Sequence, residues 1–478
     1  MVEKKERLNV TLTTPMLEKP VFVASKVCDG GSGQETADQT CDALEELGVM
    51  GQVFAVSYDT TASNSSPTVG AAALIEHYRG CQLLKCPCRR HILDLFGKTL
   101  CAVVSGEKST GPAYPLFKSY FRVWPELLNN IDYANLRRFD IETWRGTFLE
   151  LEALEIQTWV RHAILSKSFK KGTHRNLLML IAAYFDVSIP GFPFKFHKPE
   201  TIDNARFGQR ANLYITIYLL SNQLNFLTRP QIQEVSTMAL LAAVVFGPPY
   251  LKSPLLARAS YNDLKSMSIF RQLRPFFPEV AEAALRLWDR HLDYITPQHI
   301  IWSLVNDDFS DEARKKLATA LLGLLDQRVR DMPPARVRYP GPNFSTGNTF
   351  WPVDGSLPAL ENLATEDSFL VFNMLGTTDQ LLREWWEAPV SEWSDNEESP
   401  TYKAAYQETK VAASKFSVIN DNVESSLKDL KDNIARYHTE DQLQYGLTTL
   451  FEERKRAPAD RTGKISKEKL KNIVRQQE

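Results

Sequence analysis

One carboxylate stands where a sequence of this kind could support metal chemistry. Asp59 opens the segment Asp59-Thr-Thr-Ala-Ser-Asn64, after the apolar run Gln52–Tyr58 and before a predicted helix at Pro67–Tyr78. A carboxylate at the end of a strand suits Mg²⁺ or Mn²⁺, and polynucleotide cleavage and joining need two or three carboxylates around the metal ions. The same residue types after a strand also form an Asx turn or a helix N-cap, so a purely structural role for Asp59 stays open.

A cysteine and a histidine follow the next predicted strand, Cys81–Leu84. Cys88 and His91 are spaced as C-x-x-H, and Cys86 lies just before them. Together with Cys81 they offer four nitrogen and sulfur ligands, but the spacing is not that of a usual zinc finger, so zinc is not expected. A buried cysteine beside a histidine that hydrogen-bonds locally is the alternative, and a Cys/His nucleophile pair lacks a visible orienting partner.

Short strands and helices alternate in the region that positions these side chains. The predicted order is β-β-α-β-α-β, from the runs Leu8–Leu12, Val21–Ala24, Glu35–Leu47, Gln52–Tyr58, Pro67–Tyr78 and Cys81–Leu84. This order predicts a mixed sheet with helices on its faces, whose functional side chains lie at the carboxyl ends of strands. Asp59 occupies such an end.

The next part of the chain has helical periodicity almost throughout. From about residue 139 to 329 the apolar residues recur with a 3.6-residue period in Thr143–Ala163, Asn176–Phe185, Asn204–Asn225, Ile232–Val245, Pro278–Tyr294 and Asp311–Val329. A further helix is predicted at Ala412–Arg436. The pattern therefore indicates a large all-α block after the α/β region.

The strings around these motifs resemble the core of hAT-type transposases and their domesticated relatives. They are Phe54-Ala-Val-Ser-Tyr-Asp-Thr-Thr-Ala-Ser-Asn64, Gly70-Ala-Ala-Ala-Leu-Ile-Glu76 and Cys88-Arg-Arg-His-Ile92. The resemblance implies an RNase H-like α/β fold, a mixed-sheet core interrupted by a large all-α insertion. It divides the chain into a first part of the core at 8–138, the insertion at 139–340, a return to the core at 341–450 and a charged tail at 451–478.

The resemblance also implies roles for individual residues. It makes Asp59 the second catalytic carboxylate and a ligand of Mg²⁺ or Mn²⁺, and Cys88 and His91 the structural C-x-x-H pair. The late catalytic and metal-binding acid of the family is best matched by Glu424, with Glu366 as the alternative. Related sequences carry Glu-Arg where this chain has Glu-Ser, and Glu424 could instead be a solvated residue of its helix.

The first catalytic Asp of the family has no counterpart in this sequence. The family carries that Asp on a strand ahead of the hairpin that here begins at Leu8, and only Met1–Arg7 precedes it. The expectation is therefore a transposon-derived protein that is catalytically incomplete and retains DNA or metal binding. Two other hypotheses stay open: an active metal-dependent DNA transposase or nuclease whose N-terminus is missing from this sequence, and a domesticated protein-interaction scaffold.

Composition restricts the partners. The 478 residues carry 56 Lys and Arg against 58 Asp and Glu, a formal charge of −2, so any DNA contact must come from local basic patches. The candidate patch is Lys167, Lys170, Lys171 and Arg175, for which a solvated interhelical loop is the alternative. Related enzymes assemble as oligomers, so a homo-oligomer is a further expectation.

Neither a secretion signal nor a membrane segment is visible in the sequence. Met1–Arg7 lacks an apolar stretch, and the longest apolar run, Met238–Phe246, is far shorter than the roughly 18–20 residues of a spanning helix. All six cysteines lie within the first 101 residues, which favours free thiols in a reducing compartment over a disulfide framework. We expect an intracellular protein that is not secreted, and short basic runs such as Arg454-Lys-Arg456 are compatible with a nuclear one.

Overall fold

Helices make up most of the structure, a computed structural model that describes residues 6–12, 21–28, 30–106, 114–169, 172–197, 207–252, 256–288, 296–325, 359–393 and 401–415. Lys170, Lys171 and Glu424 lie outside these ranges, and so do the tail at 451–478 and most of the helix predicted at Ala412–Arg436. Statements about those residues stay predictions.

The region up to residue 87 alternates strands and helices in the predicted order. Its elements are β1 (Glu6–Leu12), β2 (Val21–Cys28), α1 (Gly33–Glu46), β3 (Ala55–Tyr58), α2 (Ala62–Ser65), α3 (Ala71–Arg79) and β4 (Leu84–Pro87). Ser32 caps α1 by accepting a hydrogen bond from the amide of Glu35, the interaction that favours serine at an N-cap. The order of strands and helices expected for this region is confirmed, although the described structure as a whole is mostly helical.

The four strands form two separate pairs, not the single mixed sheet that was predicted. β1 and β2 are antiparallel, and β3 and β4 are parallel with Tyr58 opposite Pro87. Among the described residues no strand is hydrogen-bonded between the two pairs, so these strands alone do not form an RNase H-like sheet. Helix α1 links the pairs, because Ala43 packs with Val10 of the hairpin while Ala37 and Cys41 belong to the cluster under α3.

The remainder of the described chain is helical. Its helices are α4 (Arg89–Ser105), α5 (Pro115–Leu127), α6 (Phe148–Leu165), α7 (Gly172–Tyr184), α8 (Phe207–Leu220), α9 (Arg229–Leu240), α10 (Gly247–Leu251), α11 (Leu256–Leu273), α12 (Pro278–Trp288), α13 (Pro297–Ile300), α14 (Asp311–Leu325), α15 (Leu370–Met374), α16 (Asp379–Glu387) and α17 (Thr401–Lys415). The all-α block predicted after the α/β region is thus present, and helices α15 to α17 join its packing.

One hydrophobic core runs through this helical part and reaches the parallel strands. It extends along the chain from Leu84 of β4 to Ala413 of α17. Phe96 of α4 is fully buried in it and has its ring centroid 4.8 Å from that of Trp288 and 5.9 Å from that of Phe246. Helix α4, which begins directly after β4, therefore anchors the end of the parallel pair in the helical core.

A π-helical turn, Leu241–Phe246, joins α9 to α10. Pro248 and Pro249 follow it, and a proline has no amide hydrogen and crowds the carbonyl four residues earlier. The amide of Gly247 instead donates to the carbonyl of Ala242, five residues back. The wider turn therefore accommodates the two prolines within a continuous helical path.

The same path, Arg229–Leu251, is long and apolar enough to cross a membrane by length and composition, the one such helix among the described residues. Inside this protein 94% of its apolar window is buried. That burial is typical of a core helix surrounded by other helices.

Candidate functional site

The parallel pairing of β3 and β4 brings the two motifs to one edge. Asp59 follows Tyr58 at the end of β3, and Cys88 follows Pro87 at the end of β4. The amide of Cys88 donates to the carbonyl of Tyr58 at 2.7 Å, so the two strand ends are held together. Because the carboxyl ends of parallel strands meet at the same edge, Asp59 and the C-x-x-H segment are neighbours.

Asp59 closes an Asx turn through one of its oxygens. Its Oδ1 accepts hydrogen bonds from the amide of Thr61 at 2.9 Å, the hydroxyl of Thr61 at 2.6 Å and the amide Nδ2 of Asn64 at 2.9 Å. The structural role that the residue types allowed for Asp59 is therefore present. The other oxygen, Oδ2, has no hydrogen-bond partner within the described ranges and stays available to a ligand.

The carboxyl of Asp59 is held in its ionised form. Burial of this half-buried group raises its pKa, but the hydrogen bonds from Thr61 and Asn64 and the charge of His91 outweigh that effect, and the pKa lies below its usual value. A carboxylate that accepts several hydrogen bonds ionises at lower pH because those bonds favour the charged form. At neutral pH the edge therefore carries one negative charge facing His91.

The four residues of the C-x-x-H segment contact different parts of the fold. Cys88 is buried at the N-cap of α4, and His91 on the first turn lies near enough to Asp59 to lower the pKa of its carboxyl. Arg89 donates to Asp263 of α11 at 2.6 Å, and Arg90 lies over the ring of Tyr250 with 5.9 Å to its centroid. The segment thus joins the strand edge to the helical core through its two arginines.

Asp59 is the one carboxylate within the two motifs at this edge. No three His, Cys, Asp or Glu side chains in the described ranges form a group that could hold a metal ion. Glu366 is exposed in the first turn of a 3₁₀-helix, where Thr365 and Ser368 form a capping box. Glu424, the favoured late acid, lies outside the described residues, so its predicted role is untested.

This donor set does not match a two-metal centre. Two metal ions at 3.5–4 Å, about the usual spacing, need carboxylates that converge on both ions, whereas Asp59 supplies one unpartnered oxygen. A single carboxylate oxygen fits weak, monodentate contact with Mg²⁺ or Mn²⁺.

The basic segment after α6 is only partly described. Lys167 and Arg175 are exposed and line the same cavity beside Phe169 and Phe192, whereas Lys170 and Lys171 lie outside the described residues. Contact of these residues with DNA phosphates stays a prediction.

Two buried polar clusters were not anticipated from the sequence. Asp263 pairs with Arg89, and Glu234 of α9 accepts hydrogen bonds from the hydroxyls of Tyr114 at 2.6 Å and Tyr214 at 2.7 Å. The partners in each cluster lie far apart in the chain, so no local spacing of residues predicts that they interact. The sequence gives one indication of such a cluster, an acidic residue among the apolar residues of a buried helical face.

Compared with known proteins, the chain matches no family model, no curated protein and no solved structure at a significant level. The protein can therefore be classified only by its own fold and by the geometry of its site. It is a mostly helical protein with an α/β unit, in which an ionised Asx-turn aspartate and a C-x-x-H segment share one strand edge.

Proposed function

We propose that the chain is a transposon-derived, hAT-like protein with an RNase H-like core that is catalytically incomplete and binds DNA or a divalent metal ion weakly. The observation that supports this proposal is the neighbourhood of Asp59 and His91 at the carboxyl edge of β3 and β4. The resemblance places the C-x-x-H pair one helix and one strand after the acid, and the order β3, α3, β4 is compatible with that arrangement.

Binding is favoured over cleavage by the number of acids at the edge. DNA strand transfer uses converging carboxylates to activate the attacking oxygen and stabilise the leaving one. No group of three potential metal ligands forms among the described residues, and losing one catalytic group from such a set typically costs orders of magnitude in rate. The one unpartnered oxygen of Asp59 can support a weak cation site. Alternatively, the carboxylate of Asp59 serves only to order the turn.

The metal-binding part of the proposal has a matched control within the chain. Asp140 forms a second Asx turn, accepting from the amide of Glu142 at 3.1 Å and the hydroxyl of Thr143 at 2.6 Å, but it is exposed. Titration of Mn²⁺ followed by electron paramagnetic resonance should detect weak binding that Asp59→Asn abolishes and Asp140→Asn leaves unchanged. Equal binding by both variants would contradict a metal site at Asp59.

The DNA-binding part is tested by its salt dependence. Anisotropy of a labelled duplex should show affinity that falls steeply with salt, and Lys167→Ala and Arg175→Ala should each lower the slope by about one unit. Mg²⁺-dependent strand cleavage abolished by Asp59→Asn would instead establish an active enzyme. Absence of salt-dependent DNA affinity would exclude DNA as the partner.

An exposed apolar stripe on α6 favours the scaffold hypothesis as a second candidate. Leu151, Leu154 and Leu165 share one face of this helix and are 69%, 47% and 56% exposed. Exposed leucines at helical spacing form contact surfaces between proteins. Sedimentation velocity should then show that the wild type self-associates and that the Leu151→Ser/Leu154→Ser variant does not. A monomeric wild type would show that this stripe does not mediate self-association.

A further inference from the structure

A cavity of about 50 Å³ lies between α6, the π-helical turn Leu241–Phe246 and α11. Val244 and Val245 of the turn and Ile269 of α11 give it apolar surface. A single water molecule needs roughly 10–15 Å³ of such space, so the cavity has room for roughly four non-hydrogen atoms. It can therefore take a small molecule or the end group of a larger one, and π-helical turns occur frequently at functional sites.

Charged side chains also line this cavity, and each has a partner of opposite charge. The Nζ atom of Lys265 lies 3.0 Å from the carboxylate of Glu152 and also pairs with Glu155. The Nζ atom of Lys252 lies 3.2 Å from the carboxylate of Asp308. The cavity therefore does not need a charged occupant to neutralise it. The described lining carries three carboxylates against two ammonium groups, which also disfavours an anion.

Asn262 of α11 brings an unpartnered amide to the cavity. The residue is 7% exposed, and its Nδ2 atom is buried with no hydrogen-bond acceptor among the described residues. Its backbone carbonyl, by contrast, accepts a hydrogen bond from the hydroxyl of Ser266 at 2.9 Å. A buried donor without an acceptor costs free energy, so such a group in a native protein is satisfied by a water molecule or a ligand. The cavity thus offers one donor to an occupant.

The π-helical turn leaves an unpaired acceptor on the same cavity. A helical carbonyl points along the helix axis and accepts from an amide three to five residues later, and for Val244 these residues are Gly247, Pro248 and Pro249. Both prolines lack an amide hydrogen, and the amide of Gly247 donates to the carbonyl of Ala242. The carbonyl of Val244 therefore has no helical donor, and it points towards the two prolines, which line the cavity. An occupant can donate to it.

We propose that this cavity binds the primary carboxamide group of a small molecule. The carbonyl oxygen of a carboxamide accepts from Nδ2 of Asn262, its N–H group donates to the carbonyl of Val244, and the group is uncharged. A short alkyl chain next to it packs against Val245 and Ile269. The site is separate from the edge at Asp59, and the inference does not depend on the function proposed above.

Propionamide is the probe, and a saturation-transfer NMR titration of the full chain is the measurement. So small a ligand binds weakly, and we expect a Kd of the order of 1–10 mM. Propionate lacks the N–H donor and carries a negative charge, and N,N-dimethylpropionamide lacks N–H groups, so both should bind at least about tenfold more weakly. Equal affinity for the three probes would overturn the proposal. Absence of saturation transfer to propionamide would also overturn it, because the cavity would then hold only water.

The variant Asn262→Leu removes the donor and nearly keeps the size of the side chain. Propionamide should then bind at least about tenfold more weakly, whereas the melting temperature should not fall, because an apolar group in place of an unpartnered buried amide removes a desolvation cost. Asn212→Leu is the matched control, because Asn212 of α8 also has a buried amide atom without a partner in the described ranges but does not line the cavity. It should leave the affinity unchanged, and an equal loss in both variants would refute a role for Asn262.

The variant Pro249→Ala tests the acceptor without changing Asn262. Alanine supplies an amide hydrogen five residues after Val244, the same spacing as the hydrogen bond from Gly247 to Ala242. The carbonyl of Val244 then has a partner within the helix, so the affinity for propionamide should fall at least about threefold. N,N-dimethylpropionamide does not donate to this carbonyl and should bind the variant and the wild type equally. Unchanged affinity for propionamide would refute the role of Val244 and with it the proposal.

Discussion

Arg89 and Asp263 form a buried ion pair with 2.6 Å between Nη2 and Oδ1, although 174 positions separate them in the chain. Each side chain is 1% exposed. Arg89 belongs to the C-x-x-H segment and Asp263 to the middle of α11, so the pair connects the strand edge with the helical core. The stability of this pair depends on the attraction between the two charges, which must offset the cost of removing both from water.

Removing one partner of this pair should destabilise the fold far more than removing both. Arg89→Met leaves a buried carboxylate uncompensated, and we expect its free energy of unfolding to fall by about 3–5 kcal/mol at pH 8. In Arg89→Met/Asp263→Leu both charges are gone, and most of that loss should be recovered. Urea unfolding measures both, with the exposed pair Lys316–Glu312 as a control whose loss should have little effect. A double variant no more stable than the single one would refute the account.

Asp263 should also make stability depend on pH. Burial raises the pKa of its carboxyl from 3.8 to about 6, although the charge and hydrogen bond of Arg89 oppose the shift. Between these values the folded state keeps a proton that the unfolded state loses, so the stability falls as pH rises and is constant above the folded pKa.

Asp263→Asn provides the reference for this effect, because asparagine does not titrate. Relative to that variant, the wild type should lose about 2 kcal/mol of unfolding free energy between pH 4 and pH 7. Urea unfolding at several pH values gives the difference directly. A difference that does not change with pH would show that the pKa of Asp263 is not raised.

The sequence predicts the local elements near the site better than the contacts between them. The strand and helix order up to β4 follows from apolar runs separated by turn residues, and Asp59 at a strand end follows from that order. The pairing into two separate sheets does not, because hydrogen bonding between distant strands leaves no mark in local periodicity.

Helix α11 shows why periodicity misses some elements. Its buried face carries Ser260, Asp263 and Ser266 beside apolar residues, so the stripe that signals a helix is interrupted by polar side chains. Asp263 is buried because it pairs with Arg89 elsewhere in the fold, whereas Ser266 donates its hydroxyl to the carbonyl of Asn262 one turn earlier in the same helix. A pattern of hydrophobicity contains no information on such partners.

Gly33 should be essential for the packing of α1 against the loop after Asp59. A Cβ atom at Gly33 would lie 2.3 Å from the carbonyl oxygen of Val69 and 2.6 Å from that of Ser63, and backbone atoms cannot move aside cheaply. We expect Gly33→Ala to lower the free energy of unfolding by about 1–3 kcal/mol or more. Gly51→Ala, where nothing lies within 4 Å of the added atom, is the control and should have little effect. Equal stability of both variants in urea would contradict the close approach.

Because α2 and its Asx turn lie under this contact, Gly33→Ala should also loosen the turn at Asp59. Ser63 belongs to α2, which follows the hydrogen bonds between Asp59 and Thr61 directly. Hydrogen exchange of the Thr61 amide should therefore be faster in Gly33→Ala than in the wild type. Unchanged exchange would show that the turn is held by its own hydrogen bonds alone.

His299 on α13 should make the protein sensitive to acid. It is fully buried, with Nδ1 2.7 Å from the hydroxyl of Thr296, and burial lowers its pKa from 6.5 to about 3, although a hydrogen bond to the backbone of Lys85 opposes the shift. Below pH 6.5 the unfolded chain binds a proton that the folded protein excludes, so stability falls as pH drops towards 3.

The variant His299→Gln isolates this contribution, because glutamine keeps polar atoms but does not titrate. Between pH 7.5 and pH 5 the wild type should lose about 2 kcal/mol of unfolding free energy relative to that variant. His162→Gln, at an exposed position on α6, should show no such difference from the wild type. If acid lowers the unfolding free energy of the wild type and of His299→Gln by the same amount, His299 is protonated in the folded state. Its burial would then not be the cause of the loss of stability at low pH.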